Sequence, residues 1–237
     1  MKSNTRLNTR EVALAAVFTA LYVVLSFVKI SPILGLSGPA ITAADVVAPI
    51  MGILLGPYVG VLSTLLGGAI GFSVGSLTYF SLVAGVATAF SAGMIQIKKR
   101  IVSIVTYVSL FFLFAFFPTV GTFWLFPWNA WFQIVGLVVL ISPLQFAAAG
   151  FLNSENDTKL GIGLFFTSLT CTLAGQIAGS LLFEVLTFSP ATLQPIWTAL
   201  TFIYPIERIV IASIATLIGI PLVKVLRSAN LFSPIRS

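Results

Sequence analysis

The chain alternates long apolar runs with short polar interruptions. The runs cover residues 12–30, 46–55, 57–72, 79–97, 101–117, 131–151, 160–186 and 199–225. A helix needs about 20 apolar residues to cross the hydrocarbon core of a bilayer, and most of these runs approach or exceed that length. The two short ones, 46–55 and 57–72, meet at Gly56-Pro57. They read either as two tilted helices or as one long broken helix. The pattern predicts an all-α polytopic membrane bundle of six to eight transmembrane helices, one integral membrane domain over 1–237. Polar stretches are confined to the first ten residues, 30–44, 153–159, 189–198 and the C-terminal tail. Function is therefore expected within or beside the membrane.

Composition supports this reading. Hydrophobic residues make up 58% of the chain and charged residues 8%, against about 25% charged in soluble proteins. Mean hydropathy is +1.10. So few charges cannot cover a soluble surface, which argues against a soluble enzyme, a nucleic-acid binder and a disordered chain. The net charge of +6 then reports orientation, because Lys and Arg collect in cytoplasmic loops. Lys2, Arg6 and Arg10 precede the first run; Lys98, Lys99 and Arg100 separate the fourth and fifth. Lys159 lies between the sixth and seventh, and Lys224, Arg227 and Arg236 end the chain. With eight spans these ten fall on one face, placing both termini in the cytoplasm of a multi-pass protein of the cell (plasma) membrane. The basic start and the apolar run of about 19 residues have the outline of a signal peptide. No small-x-small cleavage site follows promptly, so the first helix is expected to be retained.

The chemistry available is limited. The chain has no histidine, which removes the commonest general base and metal ligand. Its single cysteine, Cys171, sits in FFTSLTCTLAG; it rules out an internal disulfide and reads as a buried inert thiol. No catalytic residue, metal site or cofactor is expected, and the chain is not read as an enzyme. It carries no Walker-type phosphate loop, so active transport would draw on nucleotide hydrolysis by another chain.

Small residues recur at spacing four, as in Gly52, Gly56 and Gly60, in Gly85, Ala89 and Gly93, and in Gly175 and Gly179. Such ladders let helix backbones approach closely in lipid. On the first helix Ala13, Ala16 and Ala20 form a stripe that reads as a partner-docking face. The stretch ALAAVFTALYVVLSF (13–27) resembles the first helix of substrate-binding S components of energy-coupling factor (ECF) transporters, with AVFTA (16–20) on the AxxxA-type surface of that family. MGILLGPYVGVLSTLLGGAIG (51–71) resembles the second and third helices of that family, and Lys98-Lys99-Arg100 its basic turn after the fourth. The resemblance covers 1–100. It implies a vitamin-uptake subunit that binds its solute and docks on a transmembrane coupling subunit driven by ABC-type ATPases. Residues 101–237 diverge: the run 101–151 reads either as an additional hairpin or as a longer region in place of the family's fifth helix, and no family binding residue is carried over there.

Apart from loop charges on the cytoplasmic face, Lys29, Asp45, Glu184, Glu207 and Arg208 remain, all toward the outer half of the eight-span arrangement. Charges within membrane spans mark functional sites by default. Simpler roles exist for each: Lys29 can snorkel, Asp45 can cap a helix, and Glu184 with Arg208, or Glu207 with Lys29, can form structural ion pairs. Adjacent helical residues point about 100° apart, so Glu207 and Arg208 cannot both face one partner. All four tryptophans, Trp124, Trp128, Trp131 and Trp197, also fall on the outer side, either as an aromatic belt or as the lining of a cavity for a flat ring. Asn129, Gln133, Gln176 and Gln194 add hydrogen-bonding groups. Asp45, Trp128, Asn129, Glu184, Trp197, Glu207 and Arg208 are the candidate substrate-binding residues.

The leading functional reading is a membrane subunit that binds a vitamin-like small organic solute for uptake, energised by separate coupling and ATPase subunits. An accessory or structural subunit of a larger membrane complex is the alternative. A lipid-acting membrane enzyme and a proton-coupled carrier acting alone have less in the sequence to support them.

Overall fold

In the computed structural model, residues 9–32 and 40–229 are described; Lys2, Arg6 and Arg236 lie outside them. The chain is an all-α membrane bundle with one small hairpin of strands. Helix α1 (Thr9–Ser26) ends earlier than its apolar run, and Lys29 falls on strand β1 (Lys29–Pro32), paired antiparallel with β2 (Ala40–Thr42). Then follow α2 (Ala44–Ser73), α3 (Tyr79–Gln96), α4 (Arg100–Phe116), the short α5 (Thr122–Leu125) and a 3-10 turn (Pro127–Ala130). Helices α6 (Trp131–Ile141), α7 (Pro143–Phe151), α8 (Asp157–Thr187) and α9 (Pro190–Ser228) complete it. Local chemistry sets several of these starts. Thr78 caps α3 by accepting from Ser81 N (3.1 Å), Asn156 caps α8 by accepting from Lys159 N (3.1 Å), and Pro190 opens α9 where its missing N–H costs nothing.

The break at Gly56-Pro57 is a reversal. Gly56 has φ 76° and ψ 177°, a conformation open essentially to glycine alone. Eight residues along a straight helix span about 12 Å, yet Gly60 packs directly against Met51 O and the backbone of Gly52. The two halves, 44–55 and 57–73, are therefore antiparallel. Gly93 of α3 lies against the backbone of Gly56 and Pro57, so the turn sits at the end of α3 that leads into Lys98.

Five helices, α1, α2, α3, α8 and α9, are long and apolar enough to cross a membrane, and the bent pair Pro127–Ile141 and Pro143–Phe151 makes a sixth. Helix α4 is a shorter apolar helix. Because α2 is folded on itself, the described chain runs through eight passes of alternating direction. The expectation of one helix over 131–151 fails at Ser142-Pro143, where the axis bends by 67°. Proline excludes the helical conformation from the residue before it, and Ser142 is extended (ψ 163°).

Apart from Lys29 and Arg208, the described basic residues gather on one face. Arg100 donates to Ile141 O (3.0 Å) and Ser142 O (3.4 Å), satisfying carbonyls at the end of α6. Arg227 donates to Leu152 O (2.6 Å) and Ser154 O (2.8 Å), and Lys224 pairs with Asp157 at 2.6 Å. Helix α8 forms the centre: 78% of its most apolar window is buried, against 17% for the peripheral α1.

Candidate functional site

Between α2, α3, α8 and α9 the bundle encloses a cavity near the face opposite these basic residues. Its empty space, mouth included, comes to about 640 Å³. Asp45, Gln176, Trp197, Tyr204 and Arg208 line it, with Ser81, Ser180, Phe80 and Phe183. Three of the seven candidate binding residues, Asp45, Trp197 and Arg208, are thus brought together from two distant helices.

Arg208 sits deepest. Gly219 of α9 packs on Leu164 of α8, and Gly175 of α8 packs on Ala84 and Thr88 of α3. Arg208 is as many residues from Gly219 as Gly175 is from Leu164. Thr88 stands nearly as far from Lys98. At 1.5 Å per residue the three share one level, about 15 Å from the basic turn, half the hydrocarbon thickness. Arg208 is 4% exposed. Its recorded partner is Glu207, with Nη2 at 3.9 Å from Oε2, and its Nε has no acceptor. Arg208 faces the cavity and Glu207 does not, as their angular separation on the helix requires.

Asp45 lies nearer the mouth. It is not the N-cap: Ala43 holds that position without a side-chain bond. Asp45 stands two residues on, in the first turn, where its Oδ2 accepts from Thr42 N (3.2 Å) and the amino end of the helix favours a carboxylate. The side chain is within electrostatic reach of Arg208 and Glu207.

Aromatic rings form one wall. Phe80 meets Phe183 edge-on (5.2 Å), and Trp197 meets Phe183 (6.2 Å) and Phe114 (5.6 Å) the same way. Trp197 is buried, its indole N–H lacks an acceptor, and it belongs to helix α9 where the sequence suggested a loop. Deeper along the same stripe of α8, a chain of amides begins at Gln176. Gln133 is satisfied with its nitrogen on Asn129 O (2.7 Å) and its oxygen on Gln176 Nε2 (3.1 Å), and Gln176 reaches Ser180 Oγ at 3.5 Å.

The other candidates lie elsewhere. Trp128 is 71% exposed on the 3-10 turn. Asn129 is buried, donates to Thr122 Oγ1 (3.2 Å), and touches the cavity wall only through Gln133. Glu184 is fully buried near the outer end of α8, with neither carboxylate oxygen partnered. Ala13, Ala16 and Ala20 are exposed on α1, and Ala16 and Ala20 line an apolar groove with Leu62, Leu66 and Ile70 of α2. Among the described residues no three His, Cys, Asp or Glu side chains cluster as a metal site, and Cys171 is buried.

Sequence reasoning missed Phe80, Ser81, Ser180, Phe183 and Tyr204. A helical-face count would have found most of them. Gln176, Ser180 and Phe183 share one stripe of α8, and Trp197, Leu200, Tyr204 and Arg208 share one stripe of α9.

Comparison with protein-family models, with curated proteins and with solved structures gives no match.

Proposed function

We propose that this chain is a membrane-embedded substrate-binding subunit for uptake of a vitamin-like small organic solute. The observation that carries the reading is the cavity: aromatic rings, amide and hydroxyl groups in its lining, and opposite charges at two depths. Apolar walls with a few convergent polar groups are the usual make-up of a small-molecule site, and a buried arginine at mid-membrane is costly enough to mark one. In this reading the protein resides in the plasma membrane with the cavity opening outward, as the gathering of basic residues on the opposite face supports. A transmembrane coupling subunit, itself driven by ABC-type ATPases, docks on the exposed alanine face of α1.

The test is binding by the purified full chain in nanodiscs, read by calorimetry against a panel of vitamins, vitamin precursors and amino acids. Saturable binding that Arg208→Gln abolishes supports the proposal. Failure to bind any member, or solute transport by this chain alone in sealed vesicles, overturns it.

A further inference from the structure

The chemistry of the cavity narrows the solute class, an inference that rests on the binding role proposed above. Arg208 carries five N–H donors in a fixed fork. Its contact with Glu207 at 3.9 Å is beyond hydrogen-bond length, and its Nε is buried without a partner. None of the five makes a recorded hydrogen bond. A buried guanidinium with no hydrogen-bond acceptor at the floor of a cavity is matched by a planar two-oxygen acid group, which it can take bidentately.

Asp45 supplies the complement higher up. Its carboxylate accepts one hydrogen bond, from Thr42 N, out of about four acceptor positions, and Asp45 lines the cavity. Asp45, Glu207 and Arg208 together carry a net charge of −1 when ionised, so an anion alone would leave the mouth unbalanced. The rings of Phe80, Phe183 and Trp197 stand at the same end, where their faces add attraction for a cation.

We propose that the solute is an amino-acid-like zwitterion with an apolar or aromatic body. Its carboxylate docks on Arg208, its protonated nitrogen docks on Asp45, and its body lies along Phe183 and Trp197. A site built to pair both groups discriminates strongly against analogues that lack one, because a buried partner is then left unpaired.

The experiment uses the full chain in nanodiscs and calorimetric titration. The probes are the protein amino acids and short aromatic amino acids, each beside its methyl ester, which lacks the anion, and its N-acetyl form, which lacks the cation. A set of vitamins without zwitterionic character runs in parallel. Binding of a zwitterion at least tenfold tighter than both its single-charge analogues is expected. Arg208→Gln should erase the preference over the ester and Asp45→Asn the preference over the N-acetyl form. Arg208→Lys, which keeps the charge, and size-exclusion profiles of each variant separate a lost contact from a lost fold. Equal affinity for a single-charge analogue, or zwitterion binding unchanged in both folded variants, overturns the inference. Binding of a non-zwitterionic vitamin alone overturns it while sparing the proposed function. Absence of any binding overturns both.

Discussion

Helix α9 contains a proline at 205, and a proline inside a helix deprives the carbonyl four residues earlier of its amide donor. That carbonyl belongs to Thr201, which is buried. It is not left bare: the indole N–H of Trp131 donates to it at 3.0 Å from across the bundle. Trp131 is thus a fastener between α6 and α9, about two turns above the arginine at the cavity floor. Trp131→Phe keeps an aromatic ring and removes the donor. Leaving a buried carbonyl unsatisfied costs about 1–3 kcal/mol, and somewhat more is expected from the smaller ring. In a Pro205→Ala background residue 205 regains its N–H and can serve Thr201 itself. The ring-size part of the Trp131→Phe penalty is common to both backgrounds and cancels, so a double-mutant cycle isolates the hydrogen bond. The expected coupling is about 1 kcal/mol or more, measured by reversible unfolding in mixed micelles. Additive penalties within about 0.3 kcal/mol would refute the assignment of Trp131 as the substitute donor.

The remaining predictions concern the turn, the faces and the surface charges. Gly93→Leu drives a side chain into the backbone of Gly56 and Pro57, and should destabilise by more than the roughly 1–3 kcal/mol of overpacking that a deformable core absorbs; an unchanged melting temperature would sink the reversal at Gly56. Cysteines placed at Lys99 and Trp124 should label with a membrane-impermeant maleimide from opposite sides of intact cells. Cys171, being buried, should label only after denaturation. Lys224→Ala removes an ion pair whose side chains are 50% and 57% exposed, so its unfolding midpoint should move by less than the equivalent of about 1 kcal/mol. Arg227→Ala strips donors from the carbonyls of Leu152 and Ser154 and should shift that midpoint clearly further.

Much of the bundle was legible because hydropathy and charge are local properties. The helical passes follow the apolar runs closely, and the basic residues among them that are described gather on one face, as the positive-inside pattern required. The reading faltered where a single residue changes backbone direction. Nothing in the apolar run over 131–151 marks a bend except Pro143, and the structure breaks there. The apparent loop before the eighth span is helical from Pro190, since polar residues outside the hydrocarbon core do not stop a helix that begins well. Trp197 moved with it, from a surface belt position to the buried wall of the cavity.

By itself the sequence determined that this is a membrane bundle, that most basic residues sort to one end of its spans, and that a few charges toward the other end stand where lipid would not tolerate them. Only the tertiary structure decided which of those charges share a cavity. Asp45 and Arg208 are separated by most of the chain and meet because small residues, Gly175 and Gly219 among them, let α3, α8 and α9 pack at fixed heights. Glu184, as suspicious in sequence, falls outside the cavity lining. Periodicity tells which residues share one helix face, but the meeting of faces depends on close contacts between helices far apart in the chain. No single segment carries that information.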